Sequence, residues 1–265
     1  MKFETAVRVS LAMLALVVFG RATCGKPKPA GIQAVQAMKI RDNVYYHNIG
    51  ITYGDGYYYT INGGNDGYGM LNVYDGAGRP VNSYEVDLDG RAVFYQPDEE
   101  ILYVKDCGTN LYFVSPEDGE SSPDLEEVFY DENSSPGFSP DGEYIYELTD
   151  GEVRVLESFF GDEEDAFALS HYSDEHGFSG AIAASENYLF VWDADRTVYV
   201  YDLDGEYIDS FKLPRTGFGF SLSWANGMLW IAEDADGVER DDLGDVLGGK
   251  AADGYWYGYK ITGLE

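Results

Sequence analysis

The feature that most constrains this chain is a recurring hairpin. Five times an apolar run reaches a tight turn and reverses into an aromatic run. The turns fall at Asp55-Gly56, near Asp98, at Asp141-Gly142, at Glu186-Asn187 and at Asn226-Gly227, spaced about 40 to 45 residues apart. Asp-Gly and Asn-Gly at three of them suit the positive φ angles of two-residue hairpin loops. Each hairpin is followed by a third strand and usually a fourth. Leu71–Tyr74 turns at Asp75-Gly76 into Val81–Val86, and Val198–Tyr201 turns at Asp204-Gly205 into Tyr207–Leu213, while Leu111–Val114 and Val153–Leu156 take the third place in their units. Four antiparallel strands repeated at that period are the unit of a β-propeller. An irregular β-sandwich shares the alternation but supplies no reason for a fixed period.

The last unit lacks a fourth strand, since Trp256–Ile261 is its third and the sequence ends soon after. A spare apolar stretch, Ala34–Ile40, sits before the first unit. The sequence therefore predicts an all-β fold, a five-bladed β-propeller rather than a six- or seven-bladed one, with the N-terminal strand completing the last blade. Such closure removes free sheet edges.

The first residues read as an address. Lys2 and Arg8 precede a short apolar run from Val9 to Gly20, too short to span a bilayer, where roughly 20 residues are needed. Gly20-Arg21-Ala22 offers a small-x-small cut. The expected organisation is a signal peptide over 1–22, a tether over 23–33 that includes Lys26-Pro27-Lys28-Pro29, and one propeller domain over 34–265. A secreted or periplasmic location is expected, with Cys24 offering a rival, a lipid-anchored envelope protein.

Composition then limits function. Forty-eight acidic residues against 17 basic give a formal charge of −31. A chain of that sign repels phosphate backbones and anionic lipid, so nucleic acid is excluded as the main partner. Two cysteines, Cys24 and Cys107, cannot form a cysteine-rich metal site or a disulfide framework, although secretion would permit one bridge between them.

Phe138-Ser139-Pro140-Asp141-Gly142-Glu143-Tyr144-Ile145-Tyr146 resembles the repeat of the TolB-type periplasmic propellers. Val198-Tyr199-Val200-Tyr201-Asp202-Leu203-Asp204-Gly205 resembles NHL and YVTN-type repeats. Both resemblances imply blades and leave activity open. Gly50-Ile51-Thr52-Tyr53 with Gly56-Tyr57-Tyr58-Tyr59 is similar to the first blade of plant-type glutaminyl cyclases, whose second strand ends in a catalytic glutamate. Here that run is Tyr59-Thr60-Ile61-Asn62-Gly63, with no carboxylate, so the activity is not carried over.

In a propeller the connections into the innermost strands share one face with the loops between second and third strands, and binding gathers on such loops. All three histidines, His47, His171 and His176, lie in these incoming connections, with Arg91, Asn133 and Arg215. These six are the candidate ligand-binding residues, against the plainer reading that propeller loops are polar because they are wet. His171 and His176 lack a recognised ligand spacing, so no metal site is assigned. The insertion Glu233–Gly254 is an acidic flap over the same face. Its Asp-Ala-Asp-Gly resembles the start of a calcium loop without the spacing that would complete one, so no cofactor is expected, calcium being the one candidate. Cys107 has only Lys105 nearby to lower its pKa, which argues against a nucleophile. There is no phosphate loop, no Gly-x-Ser-x-Gly elbow and no His-Glu-x-x-His pair. The expectation is a monomeric, non-catalytic module binding a protein, a small molecule or a carbohydrate through its loop face. The alternative is a propeller hydrolase, lyase or cyclase working at the channel mouth.

Overall fold

The computed structural model describes residues 31–44, 47–63, 69–172, 181–192, 196–215, 221–233 and 252–264. Its twenty strands form five four-stranded antiparallel sheets. Strand β1 (Gln33–Val44) stands apart from the first blade, which is β2 (His47–Gly54), β3 (Tyr57–Gly63), β4 (Gly69–Asp75) and β5 (Pro80–Val86). The second blade is β6 (Gly90–Gln96), β7 (Ile101–Asp106), β8 (Leu111–Val114) and β9 (Ser121–Leu125). The third is β10 (Gly137–Phe138), β11 (Tyr144–Thr149), β12 (Glu152–Glu157) and β13 (Glu163–Ala168). The fourth is β14 (Ile182–Ala184), β15 (Tyr188–Trp192), β16 (Thr197–Asp202) and β17 (Tyr207–Lys212). The fifth runs β18 (Ser223–Ala225), β19 (Met228–Glu233), β20 (Ala252–Thr262) and then β1.

The closure expected from sequence is therefore present. Strand β1 pairs antiparallel with β20, Ala34 opposite Ile261 and Ile40 opposite Trp256, with a bulge between Gln36 and Met38. The turn chemistry is present too. Asp55 and Gly56 have φ of 47° and 84°, and Asn226 and Gly227 have 50° and 66°, the paired left-handed geometry of a tight hairpin.

The core is divided among the seams between blades. Each of five apolar clusters draws on two neighbouring sheets: Tyr59 with Tyr95, Phe94 with Phe138, Tyr146 with Tyr201, Phe190 with Tyr257, and Ile51 with Trp230. Rings bridge several seams directly. Phe94 stacks on Phe138 at 4.7 Å, Phe190 on partly buried Trp224 at 5.4 Å, and Tyr58 meets Trp230 edge-on at 5.2 Å. Each fully buried large side chain contributes about 1.5–3 kcal/mol, so the blades hold one another. This explains why inner strands such as β2, β3 and β6 are buried on both faces although the sheets have no single core.

The innermost strands converge on a narrow axis. Thr52, Val93, Phe138, Ala183 and Trp224, one from each blade, line a void of about 20 Å³, room for about one water. Among the described residues the axis is thus largely filled by side chains.

The seal between the last and first blades is polar as well as apolar. Asp42, on β1, is fully buried. Its carboxylate accepts hydrogen bonds from Trp256 Nε1 at 2.9 Å, Thr60 Oγ1 at 2.7 Å and the Tyr74 hydroxyl at 2.5 Å. Trp256 belongs to the fifth blade while Thr60 and Tyr74 belong to the first, so one carboxylate pins the joint. Asn226 Nδ2 adds a bond to the Tyr58 hydroxyl across the same seam at 2.7 Å.

Candidate functional site

The face that carries the incoming connections and the second-to-third strand loops is best defined around the second and third blades. Arg91 enters β6 with its neighbour Asp89 just before it. Its guanidinium grips the Asp89 carboxylate through two bonds, at 2.6 and 3.2 Å, and is 8% exposed. A fork of this kind holds a planar cation in a fixed orientation. The Arg91 carbonyl accepts from Ser135 Oγ at 2.8 Å, joining the second blade to the third. Asn133 lies exposed in the loop beyond, and its Oδ1 is 3.7 Å from Cys107 Sγ. The Cys107 amide in turn donates to the Asp89 carbonyl at 2.6 Å. Asp89, Arg91, Cys107 and Asn133 thus form one connected group.

Beneath them lies Lys105, fully buried, whose ammonium donates to the carbonyls of Asp131 at 3.1 Å and Glu132 at 2.7 Å. Burial lowers its pKa to about 8, and the attraction of Glu147 offsets only part of that. Burial likewise raises the pKa of Asp106 and that of the Cys107 thiol, opposed at the thiol by Arg91. The direction at Cys107 favours the thiol over the thiolate, although the residue itself is exposed. Glu147 anchors the loop from below. It is completely buried and accepts from the amides of Tyr130 and Asp131, from Ser134 Oγ at 2.9 Å and from Arg154 at 2.6 Å. The Arg154 guanidinium lies 3.3 Å from the centre of the Tyr130 ring.

Two polar atoms on this face are buried without a hydrogen-bond partner among the described residues: Asp106 Oδ1 and Thr149 Oγ1. They stand on the last residues of β7 and β11, the second strands of adjacent blades. Such open valences are uncommon in folded interiors and call for a bound water, ion or ligand.

The other candidates are dispersed. His47 is 7% exposed at the start of β2, opposite Gly63. The position of a Gly63 Cβ lies 2.7 Å from Asp89 Oδ1, so His47 stands on the blade next to the Asp89–Arg91 pair. His171 is exposed, with a φ of 68°, and its ring stacks at 4.0 Å on Tyr207 of β17, the outermost strand of the fourth blade. It sits at the rim, not at the axis. Arg215 is exposed, paired with Glu233 at 3.0 Å and held over the Tyr257 ring at 4.3 Å. His176 and residues 234–251 of the acidic insertion lie outside the described residues, as do Cys24 and the rest of residues 1–30, where a signal peptide and most of a tether were expected. Among the described residues no group of three His, Cys, Asp or Glu side chains is placed to hold a metal ion. No helix among them is long and apolar enough to cross a membrane.

Sequence reasoning passed over a buried amide chain crossing the first blade. Asn62 Nδ2 donates to Asn48 Oδ1, Asn72 Nδ2 donates to Asn62 Oδ1 at 3.2 Å, and Ser83 Oγ donates to Asn72 Oδ1 at 2.6 Å. The chain starts beside His47 and ends on the outer strand. The signal was available: three asparagines stand inside the otherwise largely apolar runs of inner strands.

No family model matches the chain, and no curated protein matches it. Among solved structures, one described as the AfRom2 CNH domain is similar, with a TM-score of 0.42 and 14% identity, over 92% of this chain and 71% of that one.

Proposed function

We propose that this propeller is a secreted or cell-envelope binding module, engaging a protein or other polar ligand through its loop face without catalysing a reaction on it. The observation that carries the reading is a buried, unpartnered oxygen, Asp106 Oδ1, on the residue opposite Gly90 and so beside the fixed Asp89–Arg91 fork, with a second such oxygen, Thr149 Oγ1, on the next blade. A face with its cations and anions already locked together supplies oriented hydrogen bonds at little entropic cost, which is what recognition needs. The open valences supply the incentive for a polar ligand to displace water there. Catalysis would ask for a group near its working pKa within reach of a substrate proton. Three charged groups here are instead tied down as structure: Arg91 to Asp89, Lys105 to two carbonyls, and Glu147 to several donors.

The test is affinity capture with the full chain from the fluid or envelope of its own host, comparing the wild type with an Arg91→Ala, Asn133→Ala variant that retains its melting point. Loss of a specific partner from the variant is expected. Equal recovery by both proteins contradicts the assignment of this face.

A further inference from the structure

The opposite face, formed by the first-to-second and third-to-fourth strand turns, carries a second feature. Two cavities flank the Asp141–Tyr144 turn of the third blade. One, of about 450 Å³, opens toward the fourth blade, and the other, of about 430 Å³, toward the second. They share Asp141, Tyr144 and Glu164 as a common wall. Both volumes fall in the range of ligand sites.

The second cavity is walled by five carboxylates, those of Asp98, Asp141, Glu143, Glu157 and Glu164, and by the aromatic faces of Tyr144 and Phe159. No lysine or arginine lines either cavity among the described residues. Tyr144 is 37% exposed and Phe159 57%. The turns are bound to each other: the Ser158 amide donates to the Glu143 carbonyl at 3.0 Å and Ser158 Oγ donates to the Gly142 carbonyl.

Acidity alone would mean little on so acidic a chain. The independent sign is Gln96, which lines the second cavity and is 5% exposed. Its Nε2 faces the Gly142 carbonyl at 3.4 Å, which fixes the amide orientation and leaves Oε1 without a donor among the described residues. A buried acceptor lacking a donor is costly. Oε1 is thus an open acceptor on a residue of the cavity wall. Acceptors, carboxylates and exposed aromatic faces together match a guanidinium, which donates in a fork and stacks on aromatic rings.

We propose that the two cavities take successive arginine side chains of an extended basic segment of a partner protein, which straddles the Tyr144 turn. Two sites with one shared wall fit a repeating cationic chain better than one compact cation. This surface is distinct from the loop face and goes beyond the function proposed for it.

The probe is a short fluorescein-labelled peptide alternating arginine with glycine, titrated into the full chain by anisotropy at physiological salt. A citrulline version keeps the shape and removes the charge. The Asp141→Asn, Glu164→Gln pair removes charge from the shared wall without altering volume, and is expected to weaken binding by about tenfold. Glu126→Gln with Glu127→Gln removes the same charge elsewhere, and is expected to leave binding within about twofold. Tyr144→Ala and Gln96→Leu are each expected to weaken binding several-fold, and Arg91→Ala with Asn133→Ala to leave it unchanged. Melting points establish that each variant is folded, and the isosteric charge pair decides the matter should Gln96→Leu fail to fold. Equal losses from both charge pairs would reduce the effect to diffuse attraction by net charge and overturn the proposal. So would equal binding of the citrulline peptide, or absence of arginine-peptide binding.

Discussion

Removing the Asp42 carboxylate should unfasten the ring. The residue is wholly buried and receives Trp256 Nε1, Thr60 Oγ1 and the Tyr74 hydroxyl. In Asp42→Ala these three donors lose that acceptor inside an apolar joint. Each stranded donor costs about 1–3 kcal/mol, less where a hydroxyl can turn to another acceptor or a water enters the gap. A total of about 3–5 kcal/mol is expected, comparable with breaking a buried polar pair. For a domain of this size about 2–4 °C is lost per kcal/mol, so the midpoint should fall by roughly 6–20 °C. Asp42→Asn retains one acceptor oxygen and should lose about half as much. Urea unfolding followed by tryptophan fluorescence reads both, because Trp256 and Trp230 lie at this seam. Exposed Asp98→Ala is the reference, expected within about 0.5 kcal/mol of wild type. An Asp42→Ala midpoint equal to that of Asp98→Ala would refute the idea that the joint is pinned here.

Two further predictions concern pH. Lys105 titrates near 8 in the fold but near its ordinary 10.5 when unfolded, so between those values the unfolded chain holds more protons and stability rises with pH. Wild type should therefore gain stability relative to Lys105→Met as pH goes from about 8 to about 10, measured by urea midpoints, and a constant gap would contradict the burial argument. Burial pushes Tyr59, Tyr103 and Tyr146 up to about 12 from 10.0. Their contribution is whole below pH 10 and is lost as pH climbs toward 12, because the unfolded phenols ionise first. Phenolate absorbance should rise in step with unfolding, and a separate earlier titration of these tyrosines in the folded protein would contradict their burial.

The architecture was legible because apolar and aromatic runs recur at a fixed period and several of the turns between them carry Asp-Gly or Asn-Gly. The pairing of Ala34–Ile40 with Trp256–Ile261 followed from a missing strand at one end and a spare one at the other. The outer strands β9 and β13 were not legible. Ser121–Leu125 and Glu163–Ala168 are largely exposed, so nothing forces an apolar pattern on them, and Pro123 is tolerated at an edge. Strand β10 is two residues long, too short to show a period.

The sites were harder to read than the fold. The incoming-connection argument led to Arg91 and Asn133 in one connected group, but it could not show that Asp89 would occupy the guanidinium. Nor could it place His171 at the rim, since a loop position fixes a residue's face and not its radius. Asp42 is one of 48 acidic residues in the sequence, and its role depends on Thr60, Tyr74 and Trp256 arriving from elsewhere. The acidic cavities escaped notice for the same reason. Asp98 comes from the second blade, and Asp141, Glu157 and Glu164 come from two turns of the third, which only folding brings together.

The central claim is a ring sealed by its own first strand, and a cross-strand disulfide tests it most directly. Val35 faces Lys260 in the β1–β20 register, and Cα atoms of directly opposed antiparallel residues lie about 4.5–5.5 Å apart, within disulfide reach. In a background with Cys24→Ser and Cys107→Ser, Val35→Cys with Lys260→Cys should oxidise almost wholly to an intramolecular bridge. That bridge links sequence ends 225 residues apart by number and should raise the melting point relative to the reduced form. Thiols that stay free, or that join only between molecules, would show the N-terminal strand lying elsewhere.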